Sequence, residues 1–279
     1  MPNEVVVVHA HGDDETLQTG LPIVHWLAAG WNVRQVTMTR GGVTAASLKL
    51  DGLGGPCGHP GHLYVHDPVF EEYPADLTPE QIGDARMRET AAALAAATLI
   101  TPNAGVAHVG KVFHYIHDLP TGWGGPTTGQ PPTPEGIAAA QAIIETYVQR
   151  FPAAAIHTMS PTDDHPDHAA CGHALRNLQA DPAYSAQLDD SMYFVSRLYW
   201  ATTLGAYPAD VLAEGPQWFP TNSRKAEYDD VARKMRDAFF IFDPTDGLLA
   251  VGGHQVPNQF ARCFPAVGSG QNIAAVWHN

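Results

Sequence analysis

No run of lysines and arginines occurs in this 279-residue chain, whose 15 Lys and Arg are outnumbered by 29 Asp and Glu, giving a formal net charge of −14. That balance opposes contact with a phosphate backbone and argues against nucleic-acid binding. No window holds the unbroken apolar length that crosses a bilayer, so a membrane span is not expected. The opening residues, MPNEVVVV, lack the basic segment and the small-residue cleavage site of a secretory leader. Cysteine is scarce as well. Cys57, Cys171 and Cys263 make no disulfide framework, and an odd count fits a reducing compartment, so a cytoplasmic protein is expected.

What is present is ordinary in bulk and unusual in pattern. An apolar fraction of 44% and a charged fraction of 16% describe a globular chain with ample length for a large core. Val5–Ala10 is a near-continuous apolar run, as expected of a parallel strand covered on both faces. Thr16–Ala29 reads as the following helix, stopped at Gly30, and Asn32–Thr39 alternates as a second strand. Helices are expected over 81–99 and 134–149, a third strand within 106–116, and a strand over 153–159 that leads into a helix reaching about Leu178. Ser191–Trp200 is β-like, 223–240 helical, and the final 35 or so residues irregular. Gly- and Pro-rich stretches over 51–79 and 121–134 read as long loops, of the kind that rim a pocket. No repeat or linker divides the chain. The expectation is one α/β domain over 1–279, a Rossmann-like layered fold with a mainly parallel sheet flanked by helices, its core in 1–200 and a C-terminal extension, 201–279, completing the pocket.

Two polar clusters follow predicted strands directly: His11-Gly12-Asp13-Asp14-Glu15 and Asp163-Asp164-His165-Pro166-Asp167-His168. Both fall at the carboxyl edge of the sheet, where ligands bind in such folds. Proline is favoured at the first position of a helix, so His165 would cap that helix and His168 would lie one turn on, along the same side. Neither cluster alone supplies the three protein ligands of a catalytic zinc site, but His11, Asp14 and His168 together can. Asp13 is then left beside the water as a general base, His165, if protonated, can stabilise an oxyanion, and Asp167 can orient an imidazole. The plainer explanation, that acids simply favour a helix N-terminus, accounts for either cluster by itself better than for both.

AHGDDE (Ala10–Glu15) and HPDH (His165–His168) resemble the two signature motifs of the LmbE-like, PIG-L type N-acetylglucosaminyl deacetylases, zinc hydrolases that include deacetylases of antibiotic biosynthesis. Arg86-Met-Arg-Glu89 resembles the family's R-x-x-E helix, and Arg197-Leu-Tyr-Trp200 a late strand, so the likeness covers about residues 4–200. It implies one Zn2+ per chain on His11, Asp14 and His168, with Asp13 as base, His165 as oxyanion stabiliser and Asp167 as its orienting partner. It also implies substrate contacts from Asp118, and we set Arg40 and His254 beside it as substrate-binding candidates. Two positions depart from the pattern: Gly12 replaces a proline, and Arg40-Gly41-Gly42 stands where the family often has Gly-Glu. Cys57, His59, His62 and His66 match no standard zinc spacing and are read as loop residues.

The expected activity is hydrolysis of an N-acyl group, most simply acetyl, from an amino sugar or related small metabolite. A deacylase of larger, peptide-like conjugates and a non-catalytic sugar-binding protein are the alternatives. A two-metal phosphoester hydrolase fits less well, because one ligand set is evident. The sequence leaves the oligomeric state open.

Overall fold

The computed structural model describes residues 3–44, 46–51, 53, 68, 71, 76–126, 128–195, 224–264 and 276–278. The expected loop histidines His59, His62 and His66, with Cys57, and the Arg197–Trp200 motif lie outside the described residues.

A six-stranded sheet forms the centre, in the order β3-β2-β1-β4-β5-β8. Its strands are β1 (Glu4–His9), β2 (Asn32–Thr37), β3 (Val112–Ile116), β4 (Ala155–Met159), β5 (Tyr193–Val195) and β8 (Val276–His278). The first five run parallel, and β8 pairs antiparallel with β5 at one edge. The four valines of β1 explain its central place. Val5 and Val7 pack into one core and Val6 and Val8 into another, all without solvent exposure. Alternate residues point to opposite faces, so a continuous valine run fits a strand covered on both sides. Burial of each such side chain stabilises the fold by about 1.5–3 kcal/mol.

The first core is roofed by α2 (Gly20–Ala28), α4 (Pro79–Ala97), α7 (Lys225–Ala238) and α9 (Pro257–Cys263). The second is closed by α5 (Pro134–Arg150) and α6 (Pro166–Ala180). The remaining elements are the short helices α1 (Asp14–Leu17), α3 (Ala46–Leu50) and α8 (Val251–Gln255), and a small hairpin of β6 (Phe242–Asp243) and β7 (Leu248–Leu249). None of the described helices is long and apolar enough to cross a membrane.

The order matters for function. From β1 the chain winds outward through β2 to β3, then returns to place β4 on the other side of β1. A crevice opens at such a reversal, beyond the carboxyl ends of the strands. Both polar clusters leave the sheet there, one from β1 and one from β4.

Three expectations are corrected. The single helix expected over 16–29 is two helices, α1 and α2, broken at Gln18–Thr19. Pro22 explains it, since a continuous helix would need a Pro22 N–H to bond the Gln18 carbonyl and would drive the ring into that carbonyl. Thr19 instead donates its hydroxyl to the Glu15 carbonyl at 3.0 Å. The C-terminal region expected to be irregular contains α8, α9 and β8. The start of α4 also differs: Thr78 caps it reciprocally with Gln81, and Pro79 takes the first helical position.

Candidate metal centre

The turn after β1 is tied to itself. The backbone N–H of His11 donates to Asp14 Oδ2 at 2.8 Å, which keeps the carboxylate beside His11 Nδ1. From the other side of the crevice, α6 begins with His165 as its cap, the imidazole Nδ1 accepting from the Asp167 N–H at 3.3 Å, and with Pro166 at the first position. His168 then lies one turn in. The result is a triangle of donor atoms. His11 Nδ1 stands 3.2 Å from His168 Nε2 and 3.4 Å from Asp14 Oδ2, and His168 Nε2 is 3.5 Å from the same oxygen. Ligands at 2.0–2.1 Å on the corners of a tetrahedron are about 3.4 Å apart, so the triangle has the size of one face of a zinc site. His165 adds a third imidazole to the group.

The far side of each histidine is held by an acid. Asp167 Oδ2 lies 3.1 Å from His11 Nε2, while its Oδ1 accepts from the Gly124 N–H at 2.7 Å. Asp163 Oδ2 lies 3.3 Å from His168 Nδ1, close enough for charge pairing though misaligned for a hydrogen bond. Carboxylates behind imidazoles fix their orientation and raise their basicity as ligands. The expectation from family likeness was that Asp167 would orient His165; the carboxylate is on His11 instead, and only the Asp167 backbone touches the His165 ring. A side chain one turn into α6 aims past its own cap toward β1.

The electrostatics ask for a cation at this point. Burial opposes charge on His168, but Asp14 and Asp163 outweigh it and lift the imidazole to about 9. His11 is likewise raised, with burial overcome by its bonds to Asp14 and Asp167. Burial works against the Asp14 anion too, yet the two histidines hold its carboxyl far below the usual range. His165 goes the other way. Burial, then His168 and His11, push it down to about 4, so it is neutral. With Nδ1 accepting from the Asp167 N–H, the ring proton resides on Nε2.

Asp13 lies in the same cavity and is claimed by a different element. Arg86, buried on α4, donates through Nη2 to Asp13 Oδ1 at 2.5 Å and through Nη1 to the Gly41 carbonyl at 3.3 Å. One turn on, Glu89 accepts from the N–H groups of Val251 and Gly252, at 2.6 and 3.0 Å, and so anchors α8. Burial, against those two bonds, leaves its carboxyl raised to about 8. The expected R-x-x-E pair therefore has two separate tasks. Glu15 belongs to neither: it is fully buried, and burial with Asp13 nearby raises its carboxyl well above the usual range.

Helix α4 also accounts for Gly12. A Cβ there would stand 2.4 Å from Met87 Cε and 2.6 Å from Thr90 Oγ1. The methionine end can swing away, but the Thr90 hydroxyl is bonded to the Gly12 carbonyl and to the Arg86 carbonyl. Glycine is therefore a packing requirement more than a loosening of the turn. Gly12→Pro should lower stability by about 1–3 kcal/mol through overpacking, read as a lower denaturation midpoint. An unchanged midpoint would contradict this packing account.

The cavity over the donor triangle has a volume of about 380 Å³ and is lined by the motif residues, Val43 and Thr44 after β2, Thr121–Gly122 and Gly125–Pro126, and Gln255, Val256 and Gln259. The 121–126 segment reaches α6 because Gly124 has no Cβ, which would otherwise stand 2.6 Å from Asp167 Cα. Three substrate-binding candidates fall outside this cavity. Arg40 and Asp118 line an adjoining hollow that shares Gly41, Val43 and Thr121 with it. There Arg40 is paired with Asp118 at 2.6 Å and Asp84 at 2.5 Å. His254 is corrected: it turns inward, 1% exposed, with Nδ1 on the Ala250 carbonyl, and its neighbour Gln255 faces the cavity. Arg86 as partner of Asp13, and both glutamines, went unread in the sequence. Only the proximity of three distant segments singles them out.

The family model described as PIG-L, GlcNAc-PI de-N-acetylase, matches residues 6–179. A 1D-myo-inositol 2-acetamido-2-deoxy-alpha-D-glucopyranoside deacetylase 2 of Saccharopolyspora erythraea is 27% identical over 227 residues, covering 77% of this chain and 70% of the relative. A deacetylase of the same description from Tsukamurella paurometabola is 29% identical over 210 residues, covering 72% of this chain and 62% of the relative. Among solved structures, the A40926 pseudoaglycone deacetylase Dbv21 superposes with a TM-score of 0.55 at 15% identity, over 99% of this chain and 97% of that one. A teicoplanin deacetylase in complex with teicoplanin gives 0.54 at 13% identity over the same shares. These two share the fold.

Proposed function

The chain belongs to the PIG-L family, the GlcNAc-PI de-N-acetylases, and from that premise we propose that it is a zinc-dependent hydrolase that removes the acetyl group of an N-acetylated amino sugar. The observation that carries the reading is the donor triangle of His11, Asp14 and His168 with Asp13 in the same cavity. The relatives named as N-acetylglucosaminyl-inositol deacetylases support the substrate class.

In this reading the three donors would hold the ion, and Asp167 and Asp163 support the His11 and His168 rings from behind. When bound, the ion supplies a Lewis acid that acidifies water and polarises the acyl carbonyl. Asp13 is the base. Arg86 occupies its Oδ1, and Oδ2 has no hydrogen-bond partner among the described residues, so that oxygen takes the proton of the attacking water and returns it to the departing amine. His165 donates its Nε2–H to the carbonyl oxygen as negative charge develops there. A neutral imidazole serves this purpose, so the protonated form expected from sequence is not required. The unit is read as a single domain, with the 251–259 segment contributing Gln255, Val256 and Gln259 to the cavity wall.

Incubation with N-acetylglucosamine, N,N'-diacetylchitobiose and an N-acetylglucosaminyl inositol should release acetate and free amine in equal amounts, with N-acyl peptides inert. Release from the peptides alone would favour the peptide-like deacylase. Loading the ion must also displace the His168 proton, because that imidazole is charged below about 9. Zinc affinity should therefore rise with pH up to that value. Calorimetry in buffers of different ionisation heat should show proton release, and pH-independent binding without proton release would contradict the assignment.

A further inference from the structure

Resting on the proposed function, a further question is which part of the substrate the C-terminal lip reads. Gln255 ends α8 and Gln259 lies in α9, and both line the cavity beside Thr44. Four hydrogen bonds tether this lip: two from the N–H groups of Val251 and Gly252 to Glu89, one from Lys49 Nζ to the His254 carbonyl at 2.9 Å, and one from the Thr44 hydroxyl to Gln255 Oε1. The last bond fixes the Gln255 amide with its oxygen occupied, so that its –NH2, which donates to no described residue, is the free end. The Gln259 side chain makes no hydrogen bond among the described residues. A held amide donor and an unclaimed amide thus share one wall.

Charge narrows the ligand further. Arg86 is the single Lys or Arg among the described residues lining the cavity, and its guanidinium is committed to Asp13 and the Gly41 carbonyl. In the adjoining hollow, Arg40 faces two carboxylates at once. Among the described residues, neither space offers an unclaimed lysine or arginine to a phosphate or a carboxylate, which are recognised by paired charged donors. Neutral amides and threonine hydroxyls suit hydroxyl groups instead.

We propose that Gln255 and Gln259 determine specificity by donating to and accepting from sugar hydroxyls, and that the cavity selects neutral N-acetylated glycosides against phosphorylated ones. The test is steady-state acetate release from N-acetylglucosamine, N,N'-diacetylchitobiose and N-acetylglucosamine 6-phosphate by the zinc-loaded enzyme, its Gln255→Leu and Gln259→Leu variants, and Gln255→Arg. Expected are a kcat/KM for the best neutral compound about tenfold or more above the phosphate, and a KM rise of about three- to tenfold for each leucine variant at unchanged kcat, the loss of roughly one neutral hydrogen bond. Gln255→Arg should narrow the gap to the phosphate. Equal or better turnover of the phosphate, or leucine variants with unchanged KM, would overturn this inference while leaving the deacetylase reading intact. Acetate release from none of the three would overturn both.

Discussion

Asp13→Asn should lower kcat for acetate release by about 10²–10⁴-fold, the range general-base catalysis contributes, while the protein still takes up one zinc per chain. The two parts of that result separate chemistry from assembly. Asp13 is no member of the donor triangle; it sits beside it, held by Arg86 at 2.5 Å. Asparagine keeps an oxygen for the Arg86 guanidinium but cannot accept a proton. Alanine would also strand a buried cation, a change that costs about 3–5 kcal/mol and confuses lost activity with lost structure. Turnover close to wild type in Asp13→Asn would remove the base from the mechanism. Lost turnover together with lost zinc would make Asp13 a ligand instead.

His168→Ala should abolish zinc uptake at micromolar metal, and acetate release with it, because one of three donors is gone and Asp14 loses its closest compensation from α6. A weaker variant calibrates the claim. Asp163→Asn removes the carboxylate 3.3 Å behind the His168 ring and should reduce zinc affinity by about 10–100-fold without emptying the site at saturating metal. Elemental analysis after gel filtration distinguishes the two. Full zinc in His168→Ala would contradict the donor set, and a two-variant series with equal losses would contradict the division between ligand and support.

Much of the site was legible because its information is local. Pro166 after His165 announces a helix start, and a histidine three residues on must share its side. A valine run followed by His-Gly-Asp-Asp announces a buried strand ending in a polar turn. The two clusters could be paired from sequence because both follow strands of one parallel sheet, whose carboxyl ends face the same way. What escaped is set by contacts between distant segments. Asp13 and Arg86 are 73 residues apart. The same holds for Asp167, whose rotation past His165 to His11 depends on how α6 meets β1. His254 is a substrate-binding candidate by sequence, yet the turn of α8 buries it and turns Gln255 to the cavity. The break at Thr19 was readable in principle, since Pro22 rules out a helix continuous with Gln18; the apolar periodicity across 16–29 simply outweighed it. The reason for Gly12 in place of the proline is equally non-local, since it is α4, more than 70 residues on, that a Cβ there would strike.

The most direct test of the account is acetate release from an N-acetylated amino sugar by protein stripped with a chelator, measured before and after one equivalent of zinc. The donor triangle predicts no release from the stripped protein and full recovery at one ion per chain. Undiminished release from the metal-free protein would contradict it.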